Sequence, residues 1–169
     1  MAVNKKLHTW KETMTKGNLG EVTLDRYFHE KGYRLLKAGD ATQRRGIDRK
    51  FIKGHIELTV EYKTDFKAGE TGNAFIETES VRNANTEKKG WLLTTQAQVI
   101  VYYLPTRGKA LWLSALDLKS KYEYWHGCFR KSTARNDGYH STGIIVPLEE
   151  VEKLARVVFD DLPVTKADK

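Results

Sequence analysis

Cysteine occurs once, at Cys128, so neither an internal disulfide nor a cysteine-built zinc site can hold this 169-residue chain together. Proline is nearly as scarce, with three positions, 105, 147 and 163, and no proline-rich, repetitive or low-complexity segment divides the sequence. No apolar run approaches the roughly 18 residues of a membrane span. The opening MAVNKKLHTWKE lacks the apolar stretch of a signal peptide, so a cytoplasmic protein away from membranes is expected. The five histidines, at 8, 29, 55, 126 and 140, form no H-x-x-x-H or H-N-H spacing, which argues against a zinc hydrolase. GNLG at 17–20 is too short for a phosphate loop and lacks its lysine.

Charge is plentiful. Charged residues make up 30% of the chain and hydrophobic ones 40%, an ordinary balance for a folded domain. Basic residues outnumber acidic ones 29 to 22, giving a net charge of +7 and a pI near 9.4. That excess favours an anionic partner, most often nucleic acid. The basic residues are spread over several short clusters, so a folded positive face is expected and not a basic tail.

Periodicity predicts a helix over 18–31, with Leu19, Val22, Leu24, Tyr27 and Phe28 at helical spacing and Gly32 as its stop. Strands are expected over 33–38, 47–52 and 56–63, the last two joined by a hairpin turn at Lys53–Gly54. FIETE (75–79) fits either a short strand or a helix start. VIVYYL (99–104) is the plainest strand, and 110–113 pairs onto it across a Pro105–Gly108 turn. Residues 113–122 read as helical, 123–141 as a long loop or insertion, and 142–146 as a late strand. PLEEVEKLARVVF (147–159) reads as a closing helix with proline in its first turn. The whole predicts one mixed α/β domain over 1–169, with a core at about 18–113 and a C-terminal strand and helix at about 142–160.

The chemistry concentrates in IELTVEYKTD. At a two-residue period Glu57, Thr59, Glu61, Lys63 and Asp65 share one face, and Leu58, Val60 and Tyr62 the other. A solvated outer face is the plain reading of such a strand. Three features weigh against it: Asp48 on the strand a hairpin lays alongside, Glu21 on the first helix close to Gly17 and Gly20, and Lys63 projecting to the same side as Glu61. Two hard carboxylates with a neighbouring main-chain carbonyl make an oxygen site for Mg²⁺ or Mn²⁺. A lysine beside it can orient water for attack on phosphorus.

Asp48, then Glu61-Tyr62-Lys63, with Glu21 upstream on a helix, resembles the PD-(D/E)XK nuclease superfamily, which includes restriction endonucleases, Holliday-junction resolvases and phage nucleases. The resemblance covers about 18–104 and departs once, with Ile47 where the family name has proline. It implies a restriction-endonuclease-like αβββαβ core, a mixed central sheet flanked by helices. It also implies that Asp48, Glu61 and the Tyr62 carbonyl hold Mg²⁺ or Mn²⁺, that Glu21 assists through water, and that Lys63 is the catalytic lysine. The implied activity is metal-dependent DNA endonuclease, and since such cores commonly pair to cut two strands, a homodimer is expected. The alternative is a non-catalytic DNA-binding module on the same fold.

Around this motif Gln43, Arg44 and Arg45 precede the Asp48 strand, where they are either phosphate contacts or a solvated basic turn. Asn73 is either a cleft residue or a helix cap, and Lys88 and Lys89 are either phosphate contacts or a charged turn. Gln96 enters only through the resemblance, as a polar residue near the scissile phosphate. Trp125, His126, Phe129, Arg130 and Arg135 mix aromatic and basic character, which suits either stacking on unpaired bases or a packed loop.

Overall fold

The computed structural model describes residues 10–83, 86–136 and 139–166. The first helix, α1 (Trp10–Glu30), begins earlier than the pattern predicts and ends where Gly32 adopts φ 85°. Its buried side consists of Gly20, Leu24, Tyr27 and Phe28, whereas Leu19 and Val22 face solvent. Gly20 sets how closely the helix approaches the sheet, since a Cβ there would lie 2.0 Å from the Thr64 hydroxyl.

After α1 come β1 (Arg34–Lys37), a short α2 (Asp40–Gln43), β2 (Arg49–Lys53) and β3 (Ile56–Thr64), an antiparallel meander. The β2–β3 turn is Gly54–His55, one residue beyond the expected place, with Gly54 supplying the positive φ of 60°. The chain then crosses over through α3 (Phe66–Thr71), β4 (Asn73–Asn83), β5 (Thr86–Lys89) and α4 (Trp91–Thr94). It returns as β6 (Val99–Leu104), parallel to β3, and β7 (Lys109–Ser114) pairs antiparallel with β6. Helices α5 (Ala115–Ser120) and α6 (Tyr122–Cys128), strands β8 (Lys131–Asn136) and β9 (Tyr139–Pro147), helix α7 (Leu148–Glu152) and strand β10 (Ala155–Phe159) complete the order.

Two sheets result. The larger runs β1-β2-β3-β6-β7-β10 and mixes parallel and antiparallel pairs; the smaller, β5-β4-β9-β8, is antiparallel throughout. All six residues of β6 are buried, because α1 covers one face of the large sheet and the small sheet with α5–α7 covers the other. The helix side holds Leu24, Phe28, Phe51, Val60 and Tyr103, and the opposite side Ile76, Ile100, Leu111, Trp125 and Ile144. The mixed α/β architecture, with a mixed central sheet flanked by helices, is the one expected.

FIETE, which fitted either a short strand or a helix start, is strand, within one of eleven residues. Two expectations need correction. The described part of 123–141 is not a loop, since it holds most of α6, which buries Trp125 in the core, and all of β8. The closing helix stops at Glu152, and 155–159 pairs with β7 at the sheet edge; the β-branched Val157 and Val158 suit that edge better than a helix. Among the described residues no helix is long and apolar enough to cross a membrane.

Candidate active site

Strand β3 positions the central pair. Glu61 is 4% exposed, its Oε1 lies 2.7 Å from Lys63 Nζ, and its Oε2 is buried without a hydrogen-bond partner. Burial pushes the Glu61 carboxyl up from its ordinary range, Lys63 and the neighbouring Thr95 hydroxyl draw it down, and the charge of Asp48 adds to the upward push. The Thr95 hydroxyl is nevertheless turned to the Gly46 carbonyl, which leaves Oε2 without a bond. The wall beside Oε2 is Gly46, φ 71°, where a Cβ would come within 2.9 Å of that oxygen. Thr95 is the other wall and donates from its hydroxyl to the Gly46 carbonyl at 3.1 Å. Lys119 Nζ donates to the Thr95 carbonyl at 2.5 Å and fixes that wall to α5.

Asp48, half-buried just before β2, accepts the Tyr62 N–H on Oδ2 at 2.7 Å. Its carboxyl is also pushed up by burial, with Glu21 adding repulsion and Lys63 and Arg49 opposing it. The fold therefore brings Glu21, Asp48, Glu61 and Lys63 into one electrostatic neighbourhood. The two acids with raised pKa values approach from β3 and the start of β2, and Glu21 from α1.

Glu21 is not free to swing. Arg49, 4% exposed, donates from Nη2 to Glu21 Oε2 at 2.9 Å and to Asp25 Oδ2 at 2.8 Å. It also reaches Asp25 Oδ1 from Nε at 2.9 Å and the Asp48 carbonyl from Nη1 at 2.9 Å. Burial works against its charge, but the Asp25 and Glu21 carboxylates outweigh that and keep the guanidinium ionised. The Tyr62 ring lies under the guanidinium at 5.4 Å, and its hydroxyl donates to Asp25 at 3.1 Å. Asp65, although in phase with Glu61 and Lys63, serves the local structure instead. It caps α3 through Ala68 N–H and accepts the Tyr102 hydroxyl at 2.6 Å.

The other candidates divide. Arg44 and Arg45 are exposed on the turn before Gly46, and the Arg45 carbonyl accepts the N–H of exposed Gln96 at 2.8 Å. These three flank the carboxylates. Gln43 instead donates to the Ala38 carbonyl at 3.0 Å, and Asn73 to the Thr71 carbonyl at 2.9 Å, so both are committed to local turns. Lys88 and Lys89 are exposed on β5.

Sequence reasoning missed Arg49 and Trp91. The Lys63 ammonium lies 5.3 Å from the centre of the Trp91 ring, so Lys63 is held between an aromatic face and Glu61. Trp91 opens α4 directly after Gly90, whose N–H donates to the Thr78 carbonyl at 2.8 Å and which admits no side chain against the Glu77 carbonyl, 2.2 Å from a built Cβ. The available signal was a lone tryptophan after a glycine beside two lysines, which says nothing about Lys63.

Among the described residues no group of three or more His, Cys, Asp or Glu side chains is placed to hold a metal ion. The oxygen donors on hand are two carboxylates, Asp48 and Glu61, and the main-chain carbonyl between Glu61 and Lys63.

Neither protein-family models nor curated proteins match the chain. Among solved structures it is similar to a bacterial homing endonuclease, I-Ssp6803I, with a TM-score of 0.51 and 20% identity, over 64% of this chain and 72% of that one. The likeness shows a shared fold.

Proposed function

We propose that this protein is a metal-dependent DNA endonuclease of the PD-(D/E)XK kind, hydrolysing phosphodiester bonds at Asp48, Glu61 and Lys63. The observation that carries this reading is Glu61 Oε2, a buried carboxylate oxygen without a partner, with a second half-buried acid near enough to raise its pKa. Such an atom is costly unless something positive meets it. Mg²⁺ or Mn²⁺ fits the hard oxygen set of Asp48, Glu61 and the Tyr62 carbonyl, with Glu21, steadied by Arg49, reaching it through water. A bound divalent cation supplies charge stabilisation at the phosphate and a more acidic water.

The chain's own residues do the rest. Lys63, steadied between Glu61 and Trp91, directs an N–H toward the attacking water or a phosphate oxygen. Arg44, Arg45 and Gln96 grip the backbone on either side, and the net charge of +7 draws DNA in. The fold shared with a homing endonuclease supports DNA as the substrate.

Supercoiled plasmid incubated with Mg²⁺, Mn²⁺ or EDTA tests the reading. Wild type cuts only with metal, whereas Asp48→Ala and Lys63→Ala still bind DNA but lose at least about a hundredfold in rate. Linear product appearing without a nicked intermediate would favour two sites acting together, as in the expected homodimer. Binding without cutting under every metal would replace this reading with a DNA-binding module.

A further inference from the structure

Strands β4 and β9 are eleven and nine residues long, against about five or six for a typical strand. Their inner halves account for part of that length: Ala74, Ile76, Ile144 and Val146 are fully buried against the large sheet. Past Ile76 and Ile144 the same face continues beyond the core it covers. The register carries it through Glu79 and Thr142 in the two central strands, with Lys89 beside Glu79 and Thr133 beside Thr142 on the edge strands. Thr133 Oγ1 and Thr142 Oγ1 lie 3.4 Å apart, so these side chains do share one face. Farther out, His140 sits opposite Arg135, and Lys131 lies opposite Ile144 on the same edge strand.

Charge along this extension follows strand position. On this face the edge strands β5 and β8 bring exposed Lys89, Lys131 and Arg135, while the central strands bring Thr142, His140 and the acid Glu79. The face belongs to the side of the large sheet on which Glu61 and Lys63 project. It is tied to that site, because β5 runs through Gly90 into Trp91 on the Lys63 ammonium.

We propose that the outer half of the small sheet is a docking surface for duplex DNA, its edge-strand cations holding phosphates on both sides of a groove while the central polar side chains face the base edges. This rests on the nuclease reading of Asp48, Glu61 and Lys63 and adds the surface that sets the duplex against them. Cations outside and hydrogen-bonding groups inside match a double helix, with phosphates rimming a groove about 12 Å wide whose floor offers donors and acceptors. Two-stranded ribbons are known to enter that groove.

The test measures anisotropy of a fluorescein-labelled duplex across a NaCl series with Ca²⁺, in a Lys63→Ala background. Adding Lys131→Ala/Arg135→Ala should shrink the log-affinity against log-salt slope by about 1.8, near 0.9 for each lost phosphate contact. Arg34→Ala, on the far edge strand β1, should leave the slope unchanged. Lys131→Arg/Arg135→Lys should keep it, which separates lost charge from a folding defect. In the cutting-competent protein the alanine pair should raise KM and spare kcat. An unchanged slope for the alanine pair, beside a wild type that still cuts, overturns the docking surface alone. A loss confined to single-stranded DNA overturns the duplex assignment. Wild type that neither binds nor cuts duplex overturns the nuclease reading, and this surface with it.

Discussion

At the residue scale, Asp48 and Glu61 are held against their own preference. Burial raises both pKa values, so in the folded chain their neutral forms are favoured. The stability this contributes is fully present below the ordinary carboxylate pKa, near 4, and is lost as pH rises through the raised folded values. At pH 7 the two acids therefore cost stability. Asp48→Asn, which keeps an oxygen for the Tyr62 N–H, should raise the metal-free Tm at pH 7, leave it unchanged at pH 3, and abolish cutting. Thermal melts at the two pH values check the sign. Trp91 supports a second prediction. Trp91→Leu removes the aromatic face from Lys63 and should slow cutting about tenfold at saturating DNA, with Trp91→Phe keeping most of the rate. Glu61 and Lys63 were legible because the two-residue strand period alone puts them on one side. Arg49 and Trp91 were not, because their importance comes from contacts with Glu21, Asp25 and Lys63, each far away along the chain.

At the scale of elements, α1 carries two glycines that behave oppositely. Around Gly17 nothing lies within 4 Å of a built Cβ, whereas at Gly20 that Cβ meets Thr64 Oγ1 at 2.0 Å and Thr64 Cβ at 3.0 Å. Gly17→Ala should stabilise by roughly 0.5–1 kcal/mol through helix propensity. Gly20→Ala gains the same propensity but forces α1 off β3, and overpacking of about 1–3 kcal/mol should win. Urea denaturation of the pair decides it, and two stabilised variants would refute the close contact. The elements that sequence placed correctly are those whose burial is local and periodic, such as β6 and the β2–β3 hairpin. Those it misplaced answer to distant partners. Val158 keeps a helical phase with Val151, but β7 offers a free edge and the chain takes it. Lys131 and Arg135 read as loop residues because their strand exists only by pairing with β9.

At the scale of the molecule, the segment after β10 turns back over the large sheet and closes onto the first helix. Leu162 is buried, its N–H donates to the Gly108 carbonyl at 3.1 Å, and the Tyr103 hydroxyl donates to the Pro163 carbonyl at 3.1 Å. Asp161 completes the closure, accepting the Tyr27 hydroxyl and, at 2.8 Å, the Lys31 ammonium, both from α1 or its end. Lys31 and Tyr27 hold the Asp161 carboxyl below its usual range, while burial and the Asp161 bond push the Tyr27 phenol up to about 12. The sign is opposite to that of Asp48 and Glu61. A lowered carboxylate contributes stability that is present above its unfolded pKa and lost as pH falls through the folded value. Asp161→Asn should therefore lower Tm at neutral pH, and the gap to wild type should narrow steadily as pH falls below the ordinary carboxylate pKa, near 4. Acid weakens this clasp below the ordinary carboxylate pKa, near 4, whereas it relieves the repulsion between Asp48 and Glu61 above that value, so the two windows lie on opposite sides of it. Comparing wild type with Asp48→Asn and Asp161→Asn from pH 7 to pH 2 separates the two. Two parallel curves, each a constant offset from wild type, would show that neither acid is coupled to folding as its surroundings require.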